Sequence, residues 1–284
     1  MASPTLQRRR LGKALKRARE RAGLTQEDAA EQVDGAASKI SRIELGQSGL
    51  KLTDLNVLLQ LYGVNVELAE QMRDLARAGR KRGRWSAYRN VIPNWFRSYL
   101  DLEEDASEIR WYQPEVVPGI LQTEAYIRAV YTTATPRTAD DEVDRFVRMR
   151  LDRQAVLVQD ESTLHFILSE AGLRRTFGGL ALMAEQLRHI AAVAGQANVE
   201  LQVLPLAAQT YCPASFGFTV LRFDHDANTD VVYLEDYTDA AYLDEPDPVR
   251  AYNALWNRLS AAALGQVESL DLVYAIADEY QRRP

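Results

Sequence analysis

Apolar residues recur at helical spacing through residues 1–78, and small turn residues interrupt them at short intervals. Leu11, Leu15 and Ala18 fall on one face of a predicted first helix, and a third helix is predicted at about 36–45. The predicted caps of the other helices are polar residues just ahead of an apolar run: Thr25 for the second helix, Thr53 or Asp54 for the fourth, and Asn65 for the fifth. The pattern predicts an all-α domain of five short helices.

This pattern breaks at residues 79–92, where glycines and cations replace the apolar stripe. The segment from Arg80 to Arg84 carries four cations around one glycine, which is typical of a linker. An apolar pattern returns at residue 93, where we expect the second domain to begin.

Residues 93–284 combine two periodicities, one helical and one alternating. Helices are predicted at about 93–102, 124–131, 140–158, 179–194, 248–264 and 267–281. Strands are predicted at about 164–168, 199–203, 216–223 and 231–234, where β-branched and aromatic residues are frequent. The sequence therefore predicts an α+β domain with a small sheet, which we expect to be antiparallel.

The net charge of −6 conceals an asymmetry between the two parts of the chain. Residues 1–100 contain 19 Lys and Arg against 10 Asp and Glu, a net charge of +9, whereas residues 101–284 have a net charge of −15. A basic N-terminal part favours a polyanionic partner for that part, although the charge of a domain also drifts without any function. The composition, with 46% hydrophobic residues, excludes a disordered, collagen-like or coiled-coil chain.

No window approaches 18 consecutive apolar residues, so we expect no membrane partner. The charged N-terminus lacks the apolar segment of a secretory signal. Cys212 is the only cysteine, which excludes an internal disulfide and a cysteine zinc cluster, and a reducing cytoplasm is the expected location.

We expect neither a catalytic site nor a metal or cofactor. The three histidines, His165, His189 and His225, have no Asp or Cys at metal spacing. Residues 224–235 imitate the spacing of a calcium loop, but Thr229 stands where that loop requires glycine. A phosphate-binding glycine loop and a nucleophile motif are also missing from the sequence, which argues against an enzyme.

Two adjacent segments carry the strongest functional signal. Residues 24–30 read Leu-Thr-Gln-Glu-Asp-Ala-Ala, and residues 38–46 read Ser-Lys-Ile-Ser-Arg-Ile-Glu-Leu-Gly. In residue type and spacing they resemble the helix-turn-helix of the XRE (Cro/phage repressor-like) family, over about residues 10–77. The resemblance implies a five-helix helix-turn-helix domain whose third helix enters the major groove of a double-stranded DNA operator.

Periodicity and the resemblance together assign roles to individual residues. Ile40 and Ile43 are expected to face the core, and Arg42 can make a bidentate contact to guanine. The residues expected to face the bases are Ala37, Ser38, Ser41 and Arg42. The residues expected to contact DNA phosphates are Gln26, by resemblance, with Lys39 and Lys51. The resemblance also implies a structural ion pair between Arg19 and Glu44.

The sequence departs from the family pattern at two places. The turn usually has its glycine one position earlier, where Asp34 stands, and Gly35 follows it. The recognition helix usually opens with Ser or Thr, where Ala36 and Ala37 stand. A side-chain cap of about 1 kcal/mol is therefore missing. Specificity would then depend more on Arg42 and on DNA shape.

Blocks in the second domain carry a further resemblance. They lie at residues 117–126, 150–154, 185–187, 203–205, 216–219 and 232–235. Over about residues 95–280 they resemble the uncharacterised C-terminal domain of actinobacterial regulators of the WhiJ-like group. The resemblance implies a transcription factor tied to development or secondary metabolism, which acts with a small partner protein encoded nearby.

These observations predict a sequence-specific transcriptional regulator, a homodimer on a two-fold symmetric operator, whose C-terminal domain dimerises and senses a partner or ligand. The alternative is a protein-interaction module that forms an antitoxin-like complex with a small partner protein. Two features stay open. The cations at 80–84 either extend the DNA footprint or are solvated, and the nine acidic residues between Arg222 and Arg250 form either a solvated edge or a face that repels DNA or binds the basic domain.

Overall fold

The computed structural model describes residues 3–80, 84–88, 90–134, 138–158, 162–208, 216–223 and 230–283. The chain divides into two compact units. The N-terminal unit contains Met1–Arg89 and Arg97–Asp105, and the C-terminal unit contains Asn90–Phe96 and Ala106–Pro284. The predicted boundary assigned residues 97–105 to the second domain, whereas here they pack within the first unit.

All five helices predicted for the first 78 residues form. They are α1 (Pro4–Arg21), α2 (Gln26–Glu31), α3 (Ala37–Glu44), α4 (Leu52–Leu61) and α5 (Val66–Ala78). A short 3-10 helix (Arg84–Tyr88) and most of α6 (Asn94–Asp105) complete the unit. The five helices share one cluster of buried, mostly aliphatic side chains, among them Leu15, Ile40, Leu55, Leu58 and Met72.

The helix starts are partly as predicted. Asn65 accepts a hydrogen bond from the amide of Leu68 at 2.9 Å, which confirms it as a cap. The prediction of Thr53 or Asp54 as the cap of α4 was wrong, because Lys51 occupies that position and offers no side-chain cap. Thr53 and Asp54 lie inside the first turn of the helix.

Helix α6 contributes acidic side chains to the start of α1. Thr5 Oγ1 donates to Asp101 Oδ2 at 2.6 Å, and the amide of Ser3 donates to Asp105 Oδ2 at 2.6 Å. Burial raises the pKa of both carboxyl groups, and these hydrogen bonds oppose it only in part. The N-terminal unit therefore includes a helix beyond the five of the predicted domain.

The C-terminal unit is built on one sheet with helices. The strands are β1 (Glu108–Gln113), β2 (Thr163–Ser169), β3 (Val199–Leu204), β4 (Phe218–Arg222), β5 (Val231–Glu235) and β6 (Ala240–Leu243). The helices are α7 (Glu124–Ala134), α8 (Asp140–Arg153), α9 (Glu170–Arg174), α10 (Leu180–Ala194), α11 (Pro246–Ala262) and α12 (Gln266–Arg282).

The prediction of a small antiparallel sheet was wrong. The sheet is mixed and has six strands in the order β3-β2-β1-β4-β5-β6. Strands β1, β2 and β3 pair in parallel, and β4, β5 and β6 add to them in antiparallel pairs. The physical reason is the length of the connections, because a crossover that contains helices returns the chain in the same direction. Helices α7 and α8 lie between β1 and β2 along the chain, and α9 and α10 lie between β2 and β3.

Helix α11 covers one face of this sheet. Trp256 and Leu259 pack against a cluster that includes Tyr112, Phe218 and Val232. Trp111 and Phe166, on neighbouring strands, stack with ring centroids 4.6 Å apart. The sheet is thus the centre of a buried core, which suits its parallel strands.

Candidate nucleic-acid interface

Helix α2 is fixed at its start by a reciprocal pair of hydrogen bonds. The amide of Asp28 donates to Thr25 Oγ1 at 3.1 Å, and the amide of Thr25 donates to Asp28 Oδ2 at 2.8 Å. This capping box confirms Thr25 as the predicted cap. The hydrogen bond from the Thr25 backbone also lowers the pKa of Asp28. Ala29 and Ala30 form the buried side of α2, which packs against α3.

The turn between α2 and α3 contains a residue with left-handed backbone geometry. Asp34 has a φ of 46°, and no other non-glycine residue in the described part of the chain has a positive φ. Aspartate tolerates this geometry because its short polar side chain can hydrogen-bond locally. The amide of Gly35 donates to the carbonyl of Ala30 at 3.0 Å and closes the turn. The aspartate that replaces the usual glycine therefore keeps the conformation for which glycine is favoured.

Helix α3 has a buried side and an outer side. Ile40 and Ile43 are buried, as the periodicity predicted. On the outer side lie the residues predicted to face the bases: Ser38 and Arg42 are exposed, and Ala37 and Ser41 are half-buried. Ala36 occupies the N-cap without a side-chain hydrogen bond, which confirms the predicted missing cap.

Arg42 is held against its own helix. Its Nε donates to the carbonyl of Ser38, one turn earlier, at 3.2 Å. Within the described residues this is the only hydrogen bond that the Arg42 side chain makes, so its two terminal amino groups remain as donors. Two parallel donors on one guanidinium are what a bidentate contact to guanine requires.

A single carboxylate joins the first three helices. Arg19 on α1 donates to Glu44 on α3 twice, from Nε to Oε1 at 2.6 Å and from a terminal nitrogen to Oε2 at 3.0 Å. Gln26 on α2 donates from Nε2 to Glu44 Oε2 at 2.8 Å. Arg19 and Glu44 are both buried, and their hydrogen bond raises the pKa of Arg19. The structure thus brings together the two residues that the resemblance pairs, and it adds Gln26 to them.

Two glycines let α1 approach the end of α3, and the apolar pattern did not reveal the first of them. A Cβ at Gly12 would lie 2.4 Å from the carbonyl oxygen of Glu44 and 2.5 Å from that of Ile43. At Gly46, where φ is +69°, a Cβ would lie 2.7 Å from the Cα of Arg9. A glycine inside a helical pattern is the signal that could have revealed Gly12. Backbone contact at both positions fixes the end of α3 against α1.

The predicted phosphate contacts are engaged in different ways. Gln26 is bound to Glu44, as above. Lys39 donates from Nζ to Asp54 Oδ2 at 2.9 Å and to the carbonyl of Val33 at 3.2 Å. Lys51 is exposed at the start of α4. The three residues therefore do not form one set of equally available donors.

The basic segment at 80–84 falls mostly outside the described residues, which omit 81–83. Arg84 is described, and a terminal nitrogen of its guanidinium donates to Oε1 of Glu104 at 2.9 Å. This ion pair gives Arg84 a protein partner within the N-terminal unit.

Comparisons with known families place both parts of the chain. Residues 10–72 match the model of a helix-turn-helix domain. Residues 96–274 match the Domain of unknown function (DUF5753), which covers more than half of the chain. The chain belongs to the DUF5753 family. Comparison with curated proteins finds no match. The helix-turn-helix match supports a DNA-binding regulator, and neither family description names a catalytic activity.

In the DUF5753 region three of the sequence blocks that carry the WhiJ-like resemblance meet around one loop. They are the blocks at 117–126, 150–154 and 185–187. Gln186, which is fully buried, accepts from the amide of Thr123 at 2.7 Å and donates to the carbonyl of Leu121 at 2.6 Å. Gln154 donates to the carbonyl of Gln122 at 2.6 Å. These side chains satisfy buried backbone groups, so they hold the loop at 117–123 in place.

The DUF5753 region also contains the three histidines and the cysteine of the chain. Nδ1 of His165 lies 2.9 Å from Oε2 of Glu200 on the neighbouring strand. Burial lowers the pKa of His189. Cys212, His225 and the calcium-like segment 224–229 lie outside the described residues. Where the structure describes side chains, it has no group of three or more His, Cys, Asp or Glu placed to hold a metal. No helix in the described ranges is long and apolar enough to cross a membrane.

Proposed function

We propose that this DUF5753 protein is a sequence-specific transcriptional regulator of the XRE (Cro/phage repressor-like) type, in which α3 is the recognition helix. One observation carries the proposal: the outer side of α3 presents Ser38 and Arg42, while its inner side is fixed by the buried carboxylate of Glu44. A helix that reads base edges must be held rigidly, because small displacements break bidentate contacts.

In this proposal Arg42 reads a guanine, and the shorter side chains of Ala37, Ser38 and Ser41 contact neighbouring bases. Ser38 discriminates weakly, since a hydroxyl both donates and accepts. Gln26 and Lys51 contact phosphates and position the domain. Gln26 can do so while bound to Glu44, because its amide nitrogen carries a second hydrogen.

We further propose that residues 1–78 bind DNA and that the chain acts as a homodimer on a two-fold symmetric operator. One short helix contacts only a few base pairs, so two half-sites are needed for useful selectivity. The domain at 93–284 would dimerise and sense a partner or ligand, and the WhiJ-like resemblance favours a small partner protein. The net charge of +9 in residues 1–100 supports the affinity for DNA.

The experiment is a selection from random duplex DNA with the purified full-length protein, followed by titrations at several salt concentrations. We expect one enriched inverted repeat, bound by two copies of the chain, with an affinity that falls steeply as salt rises. Enrichment of a single half-site would refute the dimer, and the lack of any enriched sequence would refute sequence-specific binding.

A further inference from the structure

Lys39 lies on α3 among the residues proposed to face DNA, but its amino group is bound to protein. Nζ donates to Asp54 Oδ2 on α4 at 2.9 Å and to the carbonyl of Val33, just after α2, at 3.2 Å. One ammonium group therefore joins the end of α2, the recognition helix and α4. Val33 follows the last turn of α2, where carbonyls lack partners within the helix and cations are favourable.

The aliphatic part of Lys39 covers the turn. A Cβ at Gly35 would lie 2.8 Å from Cδ of Lys39, so the stem of the lysine runs directly over the Gly35 backbone. A side chain at position 35 would displace the stem of Lys39 from this path. The stem packs on the outside of the turn. The amino group connects Val33, in the turn, to Asp54 on α4.

This turn has two weaknesses that a clamp would offset. Asp34 adopts the left-handed conformation, which is unfavourable for a residue with a side chain. Ala36 gives α3 no side-chain cap, so the start of the recognition helix lacks a local anchor. Lys39 lies within the first turn of α3 and anchors it through the hydrogen bonds of its amino group to Val33 and Asp54.

The charge of Lys39 is already balanced. Burial raises the pKa of Asp54, but the hydrogen bond and the charge of Lys39, with smaller contributions from Thr53 and Lys51, outweigh it and lower the pKa. Two of the three N–H groups of the lysine are used by Asp54 and Val33. Binding a phosphate would therefore require Lys39 to share or leave its carboxylate partner.

We propose that Lys39 is a positioning residue that clamps the turn and sets the orientation of the recognition helix, and that it does not act as a phosphate contact. The inference rests on the proposed DNA-binding function. Its consequence is that Lys39 and Asp54 act as a unit, so loss of either should reduce selectivity between operator and unrelated DNA.

The test compares three variants of the full-length protein in binding titrations from 50 to 300 mM salt, on the selected operator and on an unrelated duplex. Lys39→Met keeps the stem and removes the charge, and Asp54→Asn removes the partner but leaves the lysine. Lys51→Met is the matched control, an exposed lysine proposed to contact phosphate. Circular dichroism and thermal melting establish that each variant is folded.

We expect Lys39→Met and Asp54→Asn to lower the ratio of specific to unrelated binding by a similar factor, about fivefold. The slope of log affinity against log salt should stay unchanged in Lys39→Met. In Lys51→Met the slope should decrease in magnitude by about 0.9, the value for one phosphate contact. The proposal is overturned if Lys39→Met shows that same loss of slope, or if Asp54→Asn binds the operator more tightly because it frees the lysine.

A second measurement keeps the clamp testable if the protein selects no operator. Hydrogen exchange of the free protein should show faster exchange at residues 33–41 in both Lys39→Met and Asp54→Asn, and no change there in Lys51→Met. Wild-type exchange rates at this turn in both clamp variants would refute the clamp, whereas a failed selection alone would refute only the DNA-binding proposal.

Discussion

Replacing Gly12 by alanine tests whether α1 fixes the end of the recognition helix. The new Cβ would lie 2.4 Å from the carbonyl oxygen of Glu44, 2.5 Å from that of Ile43 and 2.8 Å from the carbonyl carbon of Glu44. All three are backbone atoms, so no side-chain rotation relieves the contact. Helix α3 must move away from α1 by roughly 1 Å to restore ordinary van der Waals distances.

The expected cost follows from two opposing effects. Forcing an extra methyl group into a packed contact costs about 1–3 kcal/mol. Alanine is favoured over glycine inside a helix by about 1 kcal/mol. We therefore expect Gly12→Ala to lower the free energy of unfolding of the N-terminal unit by up to about 2 kcal/mol, and to weaken operator binding because Ser38 and Arg42 are displaced with α3.

The assay is urea unfolding of the full-length protein, with hydrogen exchange in residues 3–80 to assign the loss to the N-terminal unit. Gly49→Ala is the matched control, because its Cβ would meet no described atom within 4 Å and its φ is not in the left-handed region. That control should be neutral or slightly stabilising. Equal stability of Gly12→Ala and Gly49→Ala, with unchanged operator affinity, would refute the reasoning.

Three further perturbations probe the N-terminal unit. Glu44→Leu leaves the guanidinium of Arg19 buried without its carboxylate and should cost about 3 kcal/mol in urea unfolding, of which Arg19→Met in the same chain should recover a large part; no recovery would contradict the pairing. Asp101 has a raised pKa in the folded state, so the stability it contributes is present below its ordinary value of 3.8 and is lost as pH rises through the raised value. The free energy of unfolding of the wild type relative to Asp101→Asn should therefore fall as pH rises above 3.8, and a difference that does not change with pH would argue against this. Asp34→Ala should be less stable than Asp34→Gly by about 1 kcal/mol in thermal melting, because only glycine adopts a φ of 46° freely; equal melting temperatures would count against strain at the turn.

The parts of the fold that could be predicted are those with strong local signals. The five helices of the first 78 residues follow from apolar spacing and from polar caps such as Thr25 and Asn65. The sheet could not be predicted as well, because β1 carries Glu108, Arg110 and Gln113 among its apolar residues and was missed. Without β1, the parallel β1–β2 pair had no counterpart in the prediction, although the helix between the two predicted strands β2 and β3 was a sign of a parallel crossover.

The candidate site also has features that local sequence signals predict and features that they do not. Periodicity predicted the burial of Ile40 and Ile43, since that depends on neighbours three and four residues away. The partners of Lys39 and the approach of Gly12 to Glu44 depend on contacts between residues far apart along the chain. The place of Arg97–Asp105 in the N-terminal unit depends on such contacts as well. Sequence patterns give the face of a helix, but not which element covers that face.

The measurement that tests the central claim most directly is operator selection repeated with Arg42→Ala. The variant should bind with the same salt dependence as the wild type and lose its preference at one guanine in each half-site, at a cost of roughly 1–3 kcal/mol. Arg145→Ala, which removes an exposed arginine on α8, should leave the selected sequence unchanged. If Arg42→Ala selects the same operator with the same preference at every position, α3 is not the helix that reads the bases.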